Sequence, residues 1–239
     1  MSRAEQFPLK RDVLITVKAY PNPSKKYRET VCVAGITREE GWVRLYPITF
    51  RYLPQVARFK KYQIVTLRLG KHSEGRPESY RPDQDSFKPG EIIPPKNAWH
   101  ERKQWLLPTA SASMCEIATL QRESGKSLGM FKPKDAPELV IEKADKEWGD
   151  IVRQLHMFEE PSKPLEPIPF RFKYKYACDD AHCPQAKLRW YFGTAYRASD
   201  VRSCSTDLSS GGKIPLFIGT PLTMDTLFFA ICPTGVRSD

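Results

Sequence analysis

The residues best suited to chemistry lie between Lys18 and Pro47, KAYPNPSKKYRETVCVAGITREEGWVRLYP. Lys18, Lys25, Lys26, Arg28 and Arg44 are interleaved there with Tyr20, Tyr27 and Tyr46. Ammonium and guanidinium groups neutralise phosphates and tyrosine rings stack on bases, so the mixture suits a nucleic-acid strand. Arg51 adds a further cation, and Arg76, Tyr80 and Arg81 are placed by sequence to clasp a phosphate or stack on a base. Covalent catalysis has less to work with. No serine or cysteine stands in a nucleophile-elbow context. Ser124-Gly125-Lys126-Ser127 ends like a phosphate-binding loop, but Leu120 occupies the place of the first glycine, which excludes nucleotide hydrolysis there.

Two other chemistries compete. Glu74, Glu78, Asp83 and Asp85 offer carboxylates to a magnesium ion, the basis of an alternative as a metal-dependent nuclease or hydrolase. Their proline-rich surroundings favour solvated side chains instead. Cys178 and Cys183 can give zinc two thiolates, with His182 and a remote group such as Cys204 completing a tetrahedron. Adjacent His182 and Cys183 point in opposite directions on extended chain, so reduced cysteines with no cofactor are the simpler expectation. His72, His100, His156 and His182 have no metal-ligand spacing.

The elements that must hold these residues are short strands. Asp12–Tyr20 reads as a central strand, apolar on both faces. Glu29–Ile36 and Trp42–Tyr46 alternate, with Val31, Val33, Val43 and Leu45 toward a core, and Lys61–Leu69 follows. Cys32, between two valines, reads as a core residue. Four strands within seventy residues, joined by turns, suggest a small barrel or rolled sheet. Glu74–Pro95, rich in proline and charge, reads as an irregular excursion. Asn97–Leu107 and Ser111–Glu123 have helical spacing, the second capped by Ser111 or Ser113 and ended by Ser124-Gly125. Ser127–Lys134 reads as a loop and Pro137–Lys143 as a strand. Glu147–Phe158 reads as a helix or part of a longer connection. Beyond the proline-rich 160–169, Phe170–Tyr176 alternates Phe170, Phe172, Tyr174 and Tyr176 against Arg171, Lys173 and Lys175. Leu188–Tyr196, Ile214–Gly219 and Thr226–Ile231 complete a second β-rich unit. The expected fold is mainly β, a β-rich α+β chain, divided as 1–95, a helical and proline-rich middle at 96–160, and 161–239.

Charge sharpens the reading. The chain of 239 residues carries a net +10. Residues 1–70 hold fourteen Lys/Arg against five Asp/Glu, so nearly all of the surplus sits in the first third. Such a face attracts a polyanion. No apolar run is long enough to cross a membrane and the start lacks an apolar signal core, so a soluble, cytoplasmic protein is expected. Six scattered cysteines argue for a reducing compartment rather than a disulfide framework.

Several stretches together resemble a bacterial dual-OB-fold-containing family associated with mobile-element and phage-defence loci. They are KAYPNPSKKYRETVCVAGI, GWVRLYP, RPESYRPD at 76–83, SLGMFKPK at 127–134 and the FRFKYKYACDD…C segment. The resemblance implies two OB-like β-barrels and a nucleic-acid-related role, with no enzymatic activity to carry over. One departure concerns metal: the family follows its second cysteine with a histidine, whereas Cys183 here precedes Pro184-Gln185-Ala186-Lys187. The expected function is largely sequence-independent binding of DNA or RNA through the basic, aromatic N-terminal surface. The alternative is an interaction subunit that docks an acidic protein partner within a multi-subunit complex.

Overall fold

Within Leu9–Lys18, residues Val13 to Val17 are buried on both faces because the strand has two neighbours and a cover. In the computed structural model, which describes residues 2–24, 26–72, 76–132, 138–143, 170–175, 189–192 and 228–231, this strand is β1. After it come β2 (Asn22–Ser24), β3 (Arg28–Thr37), β4 (Gly41–Ile48), β5 (Gln63–Lys71), β6 (Ser79–Pro82) and β7 (Lys88–Ile92). The sheet order is β1-β3-β4-β6-β5, and β5 returns to β1, so five strands close into a barrel. All barrel pairs are antiparallel except β4 with β6. β2 extends β3, and β7 lies along β5 at the rim.

The inward positions are those the alternation predicts. Val13, Ile15, Val33, Val43, Leu45, Val65, Leu67 and Leu69 fill the barrel, none more than 1% exposed. Burying each such branched side chain contributes about 1.5–3 kcal/mol. The outward positions of β1 and β3 are apolar too. Val17, Ala34 and Ile36 are packed under Leu106, Leu128 and Met130, and Leu14 under Tyr62 and Ile93. Tyr62 apart, that cover comes from the chain after β7, which forms α2 (His100–Leu106), β8 (Ala110–Ser111), α3 (Met114–Ser124) and β9 (Leu128–Phe131). A short helix α1 (Arg3–Gln6) precedes β1 and buries none of its residues. Ser113 caps α3, its hydroxyl accepting from the Glu116 amide at 3.2 Å, and Gly125 ends it at φ +74.

Two expectations need correction. Glu74–Pro95 is not wholly irregular, because β6 and β7 lie within it. Its prolines fit there: Pro82 ends β6, and Pro89 lies on β7, a rim strand that pairs with β5 alone. Nor is 127–134 all loop. Leu128–Phe131 is strand β9, buried throughout and paired with β8 and β13 (Phe228–Ile231). Four residues are too few to show a period, so partners decide. The strands predicted later in the chain form β10 (Glu138–Lys143), β11 (Phe170–Lys175) and β12 (Arg189–Phe192), a second antiparallel sheet. The protein is mainly β. No helix among the described residues is long and apolar enough to cross a membrane. Cys178, His182, Cys183, Cys204, Lys25, Glu74 and the segments 147–158 and 214–219 lie outside the described residues.

The cover over β1 encloses a charge. Arg102 lies 3.9 Å from the Tyr62 ring and 4.5 Å from that of Trp99, and its Nε donates to the Ile93 carbonyl at 2.8 Å. Beside it, Lys61 Nζ is buried with no hydrogen-bond partner. Desolvation, and then repulsion from Arg102, pushes the Lys61 ammonium down from 10.5 to about 8. A lysine that binds its proton less well when folded lowers stability below the folded value. The penalty fades as pH rises from about 8 toward the unfolded 10.5. Lys61→Met is therefore expected to stabilise the fold at pH 7 by on the order of 2–3 kcal/mol, with the gain shrinking by pH 10. Urea denaturation at both pH values checks this; an equal effect at both would rule out the buried charge as its cause.

Candidate nucleic-acid interface

Alternation along β4 creates the site. Val43 and Leu45 point into the barrel, so Trp42, Arg44 and Tyr46 point out. Arg44 is held from three sides. Its Nε donates to Cys32 Sγ at 3.3 Å, its Nη1 donates to Ser79 Oγ at 3.1 Å, and its amide donates to the Glu78 carbonyl at 2.8 Å. The guanidinium lies 4.8 Å from the Tyr46 ring centre, and Tyr46 in turn meets His72 at 5.9 Å. An arginine whose guanidinium is held by two hydrogen bonds and backed by an aromatic ring presents a planar cation with little entropy left to lose. Cys32 is thus an outward residue that orients Arg44, not the core residue its valine neighbours suggest.

The other predicted residues gather around this pair to different degrees. The Ala19 amide donates to the Cys32 carbonyl at 2.9 Å, which brings Lys18 and Tyr20 alongside. Lys18 Nζ lies 3.9 Å over the Phe50 ring, where burial lowers its pKa. Lys26 and Arg28 are exposed in the turn before β3, with Lys26 Nζ 5.3 Å from the Tyr27 ring. Arg28 adopts φ +64, a left-handed conformation that turns the chain sharply into β3. Arg51 is engaged internally, its Nη1 donating to the buried Glu29 carboxylate at 3.1 Å. Arg76 is half-buried at the foot of the turn leading to β6. Tyr80 lies in the barrel core at 5% exposure with Lys71 4.5 Å from its ring, so it has no face open for stacking. Arg81 is exposed opposite Gly70 on β5, two residues along β6 from Ser79.

The described carboxylates, Glu78, Asp83 and Asp85, do not meet at one point. Asp83 and Asp85 both take Arg3, Asp83 accepting from its Nε at 2.9 Å. Glu78 accepts from the Ser127 amide at 2.7 Å and from its hydroxyl at 2.6 Å. Among the described residues no three His, Cys, Asp or Glu side chains come together to hold a metal ion. Three residues of the interface were not singled out by sequence: Trp42, Ser79 and His72. Trp42 carried a signal, since it stands two residues before Arg44 and four before Tyr46, in phase with both.

Comparison with known proteins divides the chain in two. Residues 9–108 match a family described as Domain of unknown function (DUF8758), and residues 110–204 match Domain of unknown function (DUF8757). The first stretch contains the closed barrel and α2, and the junction falls in the turn between α2 and β8. No curated protein and no solved structure matches.

The Glu29–Arg51 pair anchors the base of this surface, with the Glu29 side chain only 7% exposed. Arg51→Ala removes its guanidinium from a buried carboxylate and is expected to cost about 3 kcal/mol in urea denaturation. A loss below about 0.5 kcal/mol, the range of a solvated surface pair, would show that solvent screens the contact.

Proposed function

We propose that the N-terminal barrel is an OB-type module that binds nucleic acid through the outer face of β3 and β4, largely without regard to sequence. Counting barrel strands alone, the order is 1-2-3-5-4-1 with the third and fifth parallel. In barrels of the OB type, strands 2 and 3 and the loops 1–2 and 4–5 hold oligonucleotides. The counterparts here are β3, β4, residues 19–27 and residues 72–78. These carry Lys26, Tyr27, Arg28, Arg44, Tyr46 and Arg76 from the inventory read in the sequence, together with His72.

The observation that carries this reading is the fixed Arg44 guanidinium against Tyr46 on the uncovered end of β4. Beneath α2 and β9 the same sheet face is apolar and sealed. Where the cover stops, the outward positions become cationic and aromatic. Phosphate contacts there would confer affinity and little sequence discrimination. A reducing compartment, the cytoplasm, accords with six cysteines scattered along the chain. The mobile-element or defence setting implied by the resemblance would present such a protein with DNA or RNA.

The test is fluorescence anisotropy with labelled single- and double-stranded DNA and RNA at two salt concentrations. The triple variant Lys25→Glu, Lys26→Glu, Arg28→Glu should weaken binding at least about tenfold at low salt and flatten the salt dependence. Its thermal midpoint should stay near that of the unaltered protein. Undiminished affinity in a folded triple variant would remove this face as the site. No binding to any of the four ligands would turn the basic face toward an acidic protein partner.

A further inference from the structure

The outward row of β4 does not end at Arg44. One two-residue step further, about 7 Å along the strand, Trp42 forms one wall of a cleft of about 270 Å³. Pro77 and Glu78, Thr109 and Ser111, Leu120 on α3, and Lys126, Leu128 and Gly129 are among the other residues that line it. The cleft thus opens where the barrel meets the segment that covers it, beside the backbone that holds Arg44. Trp42 and Leu128, with Pro77 and Pro108, give it apolar walls; the polar groups are few and specific.

Glu78 is the informative one. Its side chain belongs to a residue only 5% exposed. Oε1 accepts both hydrogen bonds from Ser127, whereas Oε2 is buried with no partner. A buried carboxylate oxygen that lacks a donor costs more than any ordinary hydrogen bond returns, so native structures rarely leave one without a reason. The second carboxylate in the cleft has no such capacity. Glu40 accepts from Arg11 Nε at 2.8 Å and from Thr37 Oγ1 at 2.8 Å, and the Arg11 guanidinium holds its carboxyl below the ordinary value.

We infer that this cleft takes one unstacked, amino-bearing base of the nucleic acid that runs along Tyr46 and Arg44. The inference rests on the proposed nucleic-acid binding and adds a base preference to it. An ionised carboxylate accepts hydrogen bonds and donates none. Glu78 Oε2 therefore suits the exocyclic amino group of adenine, cytosine or guanine. Thymine and uracil have no amino group, and their carbonyl oxygens flank the single ring N–H, so the carboxylate would face like charge. Trp42 supplies a flat apolar wall for the ring, and exposed Lys126 stands at the rim, where a phosphate would pass.

The experiment compares labelled oligo-dC and oligo-dT of equal length by anisotropy at one salt concentration, using the full chain. Oligo-dC should bind about tenfold more tightly than oligo-dT, the discrimination that one well-placed polar base contact supplies. Glu78→Gln should erase that preference, bringing the two affinities to within about twofold of each other. Because Glu78 also bonds Ser127, a second variant fills the cleft without touching that contact: Leu120→Trp, at a position 37% exposed on α3. It should have the same effect. Equal affinity of the unaltered protein for both oligomers would overturn the base pocket and leave the phosphate track standing. A preference that persists in folded Leu120→Trp would also overturn it, by locating discrimination elsewhere. Failure to bind either oligomer would overturn both readings together.

Discussion

One strand closes this protein. β1 pairs through Leu9–Leu14 with β5 and through Leu14–Lys18 with β3, so ten residues must satisfy two partners in succession. The register shifts between Ile15 and Val17 as the strand crosses from one neighbour to the other. Such a bulge bends the strand and tightens its twist, which a small barrel needs in order to close. The approach is close. A Cβ on Gly35 would lie 2.4 Å from Val13 Cγ1 and 2.8 Å from the Leu14 carbonyl oxygen, so β3 can meet β1 there only with glycine. By joining β3 to β5, β1 leaves neither of them an open edge in the barrel.

Closure creates a second demand. β1 and β3 present apolar side chains outward as well as inward, and these require a cover. Residues 93–131 supply it: Ile93 and Trp99 over Leu14, Leu106 and Met130 over Val17, Ala34 and Ile36. The cover stops short of the far end of β4, and what remains open there is cationic and aromatic. The concentration of positive charge in the first seventy residues is thinned by structure. Arg3, Arg11 and Arg51 are held by carboxylates, and Lys18 is half-buried over a ring. Exposed cations are spread over the barrel, among them Lys10, Arg38, Arg58, Lys60 and Arg68; those beside the fixed Arg44 are Lys26 and Arg28 at the start of β3.

Much of the barrel was legible in the chain. Val31, Val33, Val43, Leu45, Val65 and Leu67 recur at a period of two, and every one points inward. Helix α3 was marked at both ends by Ser113 and Gly125, whose roles depend on local backbone chemistry alone. β6, β7 and β9 were not legible. Each is four or five residues long, and two carry proline. A strand that short has no period to display and exists because an established neighbour offers it hydrogen bonds.

For the candidate site the division is similar. Composition and spacing determined that a basic, aromatic surface would form on the first β-unit, since alternation on a half-buried strand forces Arg44 and Tyr46 to one side. Tertiary structure decided which of those groups remain available. Tyr80 went into the core because β6 runs parallel to β4 with that residue facing inward, and Arg51 went to Glu29. Cys32 turned outward to meet Arg44, and Glu78 met Ser127 across 49 residues of sequence. The physical reason is range. Strand periodicity and helix capping act between residues a few positions apart and can be read along the chain. The partner of a buried charge is set by which distant segments the barrel brings together, and no local pattern encodes that.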